Sequence, residues 1–246
     1  MGRKNNKDSN IVFKCNYCDG GETSEYFGFH GVCSDKMISY NVEVAKHAWC
    51  SDENCACKQY HNGEISRSEL LYKMENSSFV CYESTVLSNW IAQGGYTKSG
   101  DPRLISRAQK NSLAVLTTRK PCDTEEKRFI FAVFLIGEHF KGDDSKRGYV
   151  HAAPYRRIEL TKQEAYKLPF WKYHRSRFDS VSPAGAHDLF QYISDEKAVQ
   201  ILKDIVTVIA PEDKDYAREC LQYYCKIHHI NAEDVPPPEG ALMRKK

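Results

Sequence analysis

Phe129-Ile130-Phe131-Ala132-Val133-Phe134-Leu135-Ile136 is a run of eight apolar residues, most of them β-branched or aromatic. Such a run favours a strand, and with no polar residue at alternate positions it has to be buried on both faces. It is therefore expected at the centre of a sheet. It is far short of the roughly 18–20 apolar residues that cross a bilayer. Leu113-Ala114-Val115-Leu116-Thr117-Thr118 reads as a second buried strand. On the other side, Tyr149-Val150-His151 and Arg157-Ile158-Glu159-Leu160 read as shorter strands, with Lys141-Gly142-Asp143-Asp144 as a turn before them. Upstream, Phe79-Val80-Cys81-Tyr82 has strand character. Ser84 to Ala92 reads as a helix with Val86, Leu87, Trp90 and Ile91 on one face.

Helical signals surround this sheet. Gly63 to Met74 has the pattern of a short helix. Thr161-Lys162-Gln163-Glu164 is a capping box, in which hydroxyl and carboxylate satisfy each other's backbone N–H groups. Ser194-Asp195 opens a helix to about residue 209, with Ala198, Ile201, Leu202, Ile205 and Val208 on one face. Pro211 opens a last helix through roughly Ile230. Pro236-Pro237-Pro238 to Lys246 reads as a disordered tail. Strands at short intervals with helices between them predict an α+β fold, not a parallel βαβ array. The expected organisation is a cysteine-rich segment over 1–76, a β-domain over 77–209 and a helical extension with its tail over 210–246.

Six of the ten cysteines, Cys15, Cys18, Cys33, Cys50, Cys55 and Cys57, fall within the first 57 residues. Met1 to Asn10 is polar and lacks the apolar stretch of a signal peptide, so a reducing, cytoplasmic setting is expected. Disulfides are rare there, and clustered thiols read as metal ligands. Cys15-Asn16-Tyr17-Cys18 is a C-x2-C knuckle, followed by the chain break Asp19-Gly20-Gly21. Two thiolates at this spacing on a tight turn can face one tetrahedral zinc ion. Closure requires two more ligands from Cys50, Cys55 and Cys57, with Cys33, His47 and His61 in reserve. The zinc is expected to be structural, because a polar segment of this size buries too little surface to fold alone. Neither an H-E-x-x-H helix nor the H-x-E with P-C-x-x-C deaminase pattern occurs.

Net charge is +2, but Arg103 to Arg177 holds 17 Lys/Arg against 8 Asp/Glu. That stretch, which also carries part of the chain's 15 tyrosines, suits a polyanion. The residues Ser78-Phe79-Val80, Tyr82-Glu83-Ser84, Asn89-Trp90, Gly100-Asp101-Pro102-Arg103-Leu104, Leu113–Thr118 and Arg128–Glu138 follow one another in an order that resembles the PUA-like superfamily. That superfamily includes the EVE, YTH, ASCH and SRA modules, and the likeness covers about half of the chain. The tryptophan-serine/cysteine-threonine signature of YTH members is absent, since Trp90 is followed by Ile91-Ala92. The resemblance implies a PUA-like open β-barrel that binds nucleic acid and reads a modified base, DNA above all, as in restriction or phage defence. Stacking on aromatic faces would repay the unstacking of a flipped base. Tyr82, Trp90, Phe170, Trp171 and Tyr173 are the candidate faces. Arg103, Arg107, Arg119, Lys120, Arg156, Arg157, Arg175 and Arg177 are the candidate phosphate contacts.

Two other functions fit parts of the sequence. Glu125-Glu126-Lys127 and Glu159-Leu160-Thr161-Lys162 contain E-x-K and E-x-x-K, the elements of a Mg-dependent restriction-type endonuclease. Glu125, however, precedes the long strand and does not lie in it. His228-His229 falls in a helical context that does not suit an HNH nuclease. Ser182-Pro183-Ala184-Gly185-Ala186-His187-Asp188 reads as a glycine turn leading into a helix. The third function is a zinc-scaffolded protein-interaction module without a nucleic-acid role.

Overall fold

The computed structural model describes residues 8–47, 49–76, 81–97, 99–175 and 189–244. The chain divides into two compact units, Asn16–Ile91 on one side and Met1–Cys15 with Ala92–Lys246 on the other. This division differs from the one read along the sequence. The strand before the cysteine knuckle belongs to the sheet, through pairing with a partner about a hundred residues away.

The small unit is built from short helices. α1 (Asp35–Ser39) is capped by Ser34, whose Oγ accepts from the Met37 N–H, and runs on into a π-helical turn over Tyr40–Val44. α2 (Ala56–His61) follows Cys55 and ends at Asn62 and Gly63, the latter with φ +76°. α3 (Arg67–Asn76) starts later than expected, because Ser66 and Glu69 form the reciprocal cap: Ser66 N–H donates to the Glu69 carboxylate and Ser66 Oγ accepts from the Glu69 N–H. Phe79 and Val80, half of the Phe79-Val80-Cys81-Tyr82 strand candidate, lie outside the described residues. Their neighbours Tyr82–Thr85 form a 3-10 turn that leads into α4 (Val86–Asn89). The nine-residue helix expected here is one turn long. Trp90 takes a left-handed conformation (φ 54°) that ends it, and the chain then turns extended. Val86 and Leu87 are all that this turn buries.

The larger unit holds a mixed six-stranded sheet curled into a half-barrel, which bears out the α+β class. Its strands are β1 (Asn10–Lys14), β2 (Ile91–Gln93), β3 (Leu113–Thr118), β4 (Phe129–Phe140), β5 (Tyr149–Glu159) and β6 (Phe190–Ile193), in the order β2-β5-β4-β3-β1-β6. β1 runs parallel to β3, and the β1–β6, β3–β4 and β4–β5 pairs are antiparallel. β4 is interior, as its apolar run requires: Phe129 to Ile136 are all buried. β5 is one long strand with a break. Phe134 pairs with Arg157 but Ile136 pairs with Ala152, so three extra residues bulge out of β5. Pro154, which cannot donate to a ladder, sits in that bulge, and Tyr155 at φ 61° turns it. Opposite, Gly137 has no side chain for a reason: a Cβ there would lie 2.7 Å from the Ala153 Cα.

α5 (Lys162–Ala165) carries the complete Thr161/Glu164 capping box. α6 (Asp195–Val208), capped by Ser194, packs against α7 (Lys214–His228), which is preceded by a 3-10 turn at Pro211–Asp213. A polar network fastens both helices to β1. Asp195 accepts from Asn10 Nδ2 (2.7 Å) and from Tyr224 OH (2.9 Å), and pairs with His228 Nδ1 at 3.6 Å. Asn10 Oδ1 accepts the Leu113 N–H at 2.7 Å. Through residue 244 the tail is docked, against the expectation from its prolines. Gln200 Nε2 donates to the Pro236 carbonyl, Ala241 N–H donates to the His174 carbonyl, and Ala241 is fully buried. Three prolines restrict the chain to extended forms, which lets it dock at low entropic cost. Among the described residues no helix is long and apolar enough to cross a membrane.

Candidate thiol centre and nucleic-acid interface

Cys18, Cys33, Cys50, Cys55, Cys57 and Cys81 are all buried in the small unit. Cys18 comes from the knuckle, Cys33 from the loop before α1, Cys50 and Cys55 from the loop before α2, Cys57 from α2, and Cys81 from the entry to the 3-10 turn. Cys33 Sγ donates to Cys18 Sγ at 3.1 Å. Cys18 also receives the Gly20 N–H at 3.4 Å. The Cys33 hydrogen bond holds the Cys18 thiol below its ordinary range, while the same contact and burial push Cys33 up. Cys55 and Cys57 form a second pair. Their hydrogen bond, against burial, lowers Cys55 to about 7 and raises Cys57. Cys81 bonds to Cys50 and, at 3.1 Å, to the Glu83 carboxylate, and its thiol is raised.

The thiols are thus packed in contacting pairs. Among the described residues no group of three or more His, Cys, Asp or Glu side chains stands ready to hold a metal ion. The donor chemistry nonetheless fits zinc, since soft buried sulfurs converge from separate segments. Cys15 belongs to the sheet unit. Its N–H donates to the Thr117 carbonyl and its carbonyl accepts from the Thr118 hydroxyl.

The five rings read as base-stacking faces are divided between the units. Tyr82 and Trp90 are half-buried in the small unit. Phe170 and Trp171 have no exposed surface, and Tyr173 has 2%. Trp171 Nε1 donates to the Glu125 carbonyl at 2.7 Å, and Tyr173 OH donates to Asp204 at 2.5 Å. Burial and Asp204 push the Tyr173 hydroxyl well above its ordinary pKa. These three rings are core, because the 3-10 turn Phe170–Lys172 folds them inward. A base has no access to their faces.

The cations hold several positions. Arg107 lies 4.0 Å over the Tyr192 ring, Lys120 5.0 Å over Tyr166 and Arg156 4.7 Å over Tyr223. Arg147, which the sequence did not single out, lies 5.2 Å over Tyr96. Arg103 Nε donates to the Tyr96 carbonyl, and Arg119 pairs with Glu125 and donates to the Asp123 carbonyl. Arg157 is half-buried, with its N–H on Tyr216 OH. Arg175 is exposed, and Arg177 lies outside the described residues, as does the Ser182–Asp188 turn. Tyr155, at the tip of the β5 bulge, is 83% exposed. Arg156 donates to its carbonyl at 2.7 Å.

Glu125, the acid of the nuclease reading, lies in a 3-10 turn and meets Lys14 at 3.2 Å, Arg119 at 3.4 Å and Arg128 at 2.7 Å. Burial raises its carboxyl, but Arg128 and Lys14 outweigh this and hold it below the ordinary range. A carboxylate engaged by three cations serves as a structural counter-ion. His228 is likewise occupied, its ring stacked on Tyr224 at 4.2 Å and bonded to Asp195 and the Asn111 carbonyl.

The cation–tyrosine pairs were invisible along the sequence because each joins two elements. The signals available were the tyrosine count and the local basic excess. Cys81 was missed because it stands 24 residues beyond the cysteine cluster. No family model matches the chain, and neither a curated protein nor a solved structure matches it.

Proposed function

We propose that this protein binds nucleic acid through the β5 bulge of its sheet unit, with the small unit held by structural zinc. The observation that carries the reading is Tyr155: an aromatic ring 83% exposed, on a left-handed backbone, beside an arginine stacked on a second tyrosine. An exposed ring on strained backbone costs folding energy with no packing in return, the signature of a site kept for a partner. A base can stack on Tyr155, at about 1–3 kcal/mol per base. The Arg156 guanidinium lies 4.7 Å over the Tyr223 ring and gives one N–H to the Tyr155 carbonyl; its other N–H groups would contact phosphate. Its rotamers are already restricted, so little entropy is lost on binding.

The partner class is nucleic acid, bound without selection for a modified base. The enclosed aromatic cage does not carry over, since Phe170, Trp171 and Tyr173 are core. Surface stacking tolerates any base, so modified and unmodified strands should bind alike. Fluorescence anisotropy with a labelled single-stranded 20-mer tests this. Tyr155→Ala should weaken binding about tenfold, and Arg156→Ala should reduce the salt slope by roughly 0.7. Affinity independent of salt and of both substitutions refutes the reading.

A further inference from the structure

We propose that the small unit coordinates one zinc ion through the thiolates of Cys18, Cys33 and Cys57, with the fourth sulfur supplied by the contacting pair Cys50 and Cys81. This names the ligand set of the zinc reading above and rests on it.

One cavity in the small unit is lined by Cys18, Cys33, Cys50, Cys57 and Cys81. None of the five is more than 8% exposed. Their electrostatic neighbourhoods overlap: Cys57 feels Cys18 and Cys50, Cys33 feels Cys57, and Cys81 feels Cys18 as well as Cys50. The five thiols therefore border one cavity. They also join the knuckle, the loop before α1, the loop before α2, α2 and the 3-10 turn. Helices of 4 to 10 residues are too short to be stable without such a tie. A metal cross-link at their junction supplies that free energy.

With Zn–S near 2.3 Å, the edge of a sulfur tetrahedron is about 3.8 Å. The Cys33–Cys18 contact of 3.1 Å is therefore about 0.7 Å too short for a shared zinc. Binding of Zn²⁺ would release the protons of the ligand thiols to solvent and spread the two sulfurs by that amount. The Gly20 N–H aimed at Cys18 Sγ stays in place as a hydrogen bond to the thiolate. The backbone packs closely there: a Cβ on Gly20 would overlap the Gly31 carbonyl.

The test uses the full-length protein. Elemental analysis should find about one zinc per chain, and X-ray absorption should find a shell of sulfur alone at about 2.3 Å. Cys33→Ser should lose most of the zinc, whereas Cys122→Ser, an exposed thiol of the sheet unit, should keep it. Cys33→His preserves a donor and should retain zinc with one nitrogen at about 2.0–2.1 Å in the shell. Zinc retained in Cys33→His with an unchanged all-sulfur shell overturns the ligand set and leaves the zinc reading standing. Oxygen or nitrogen in the wild-type shell also overturns the set. Absence of zinc from the wild type, both as purified and after refolding with Zn²⁺, overturns both.

Discussion

Asp195→Asn should destabilise the sheet unit by about 2 kcal/mol at pH 5.5 and by almost nothing at pH 2. The substitution keeps the shape of the side chain and removes its charge. Asp195 is held at about 2, against an ordinary 3.8, chiefly by its hydrogen bond to His228 and then by Asn10 and Tyr224. That difference, at about 1.4 kcal/mol per pKa unit, amounts to about 2 kcal/mol of folding free energy. The group is only 21% exposed, so solvent screening removes little of it. A depressed carboxylate contributes above its unfolded pKa and loses that contribution as pH falls through the folded one, here from about 4 to 2. Burial works against the charge on His228, but Asp195 and the Asn111 carbonyl raise its pKa. Its contribution is full below the ordinary 6.5 and is lost as pH rises through the raised value. Together the two give a maximum between pH 4 and 6.5. Urea titrations of wild type and Asp195→Asn across this range, followed by far-UV circular dichroism, measure the difference. A gap that is the same at pH 2 and pH 5.5, or below about 0.5 kcal/mol at pH 5.5, refutes the assignment of this network as the clamp of α6 and α7 on β1.

Tyr155→Gly should stabilise the protein by about 1 kcal/mol, because glycine adopts the φ of 61° without strain, while nucleic-acid affinity falls. Thermal melts and anisotropy on the same sample separate the two effects. Trp171→Phe should cost about 2–4 kcal/mol, through a lost indole bond to the Glu125 carbonyl and a core void. It should leave nucleic-acid affinity unchanged once folding is corrected for. His174 is pushed down to about 3 by burial and then by Lys197 and Lys14. A depressed histidine contributes above its unfolded pKa, so stability should drop as pH falls from 6.5 toward 3, by up to about 1.4 kcal/mol per pH unit. His174→Phe should flatten that slope in urea titrations.

What could be read from the sequence followed the strength of local signals. The apolar run from Phe129 to Ile136 sits inside the sheet, as eight adjacent apolar residues must. The caps at Thr161 and Ser194 lie where hydroxyl and helix pattern coincide. Errors arose where distant contacts overrode local pattern. Trp90 ends a helix by taking a left-handed conformation, and the chain passes directly into β2, which the apolar spacing of residues 84–92 does not signal. The prolines of the tail signal stiffness, and only the partner surface at Gln200 and His174 decides that this stiffness is docked. For the candidate sites, the cysteines were visible as a cluster but their pairing was not, since Cys33–Cys18 and Cys50–Cys81 join separate loops. The aromatic residues were chosen by type. Burial then removed Phe170, Trp171 and Tyr173 and exposed Tyr155, a distinction that depends on one bulge in β5.

Photocrosslinking tests the central claim most directly. A single-stranded oligonucleotide carrying 4-thiothymidine is bound, irradiated and digested with trypsin together with the protein. Adducts on the peptide of residues 148–156, which contains Tyr155, are the predicted result. Adducts confined to other peptides, or none under conditions where the strand is bound, contradict it.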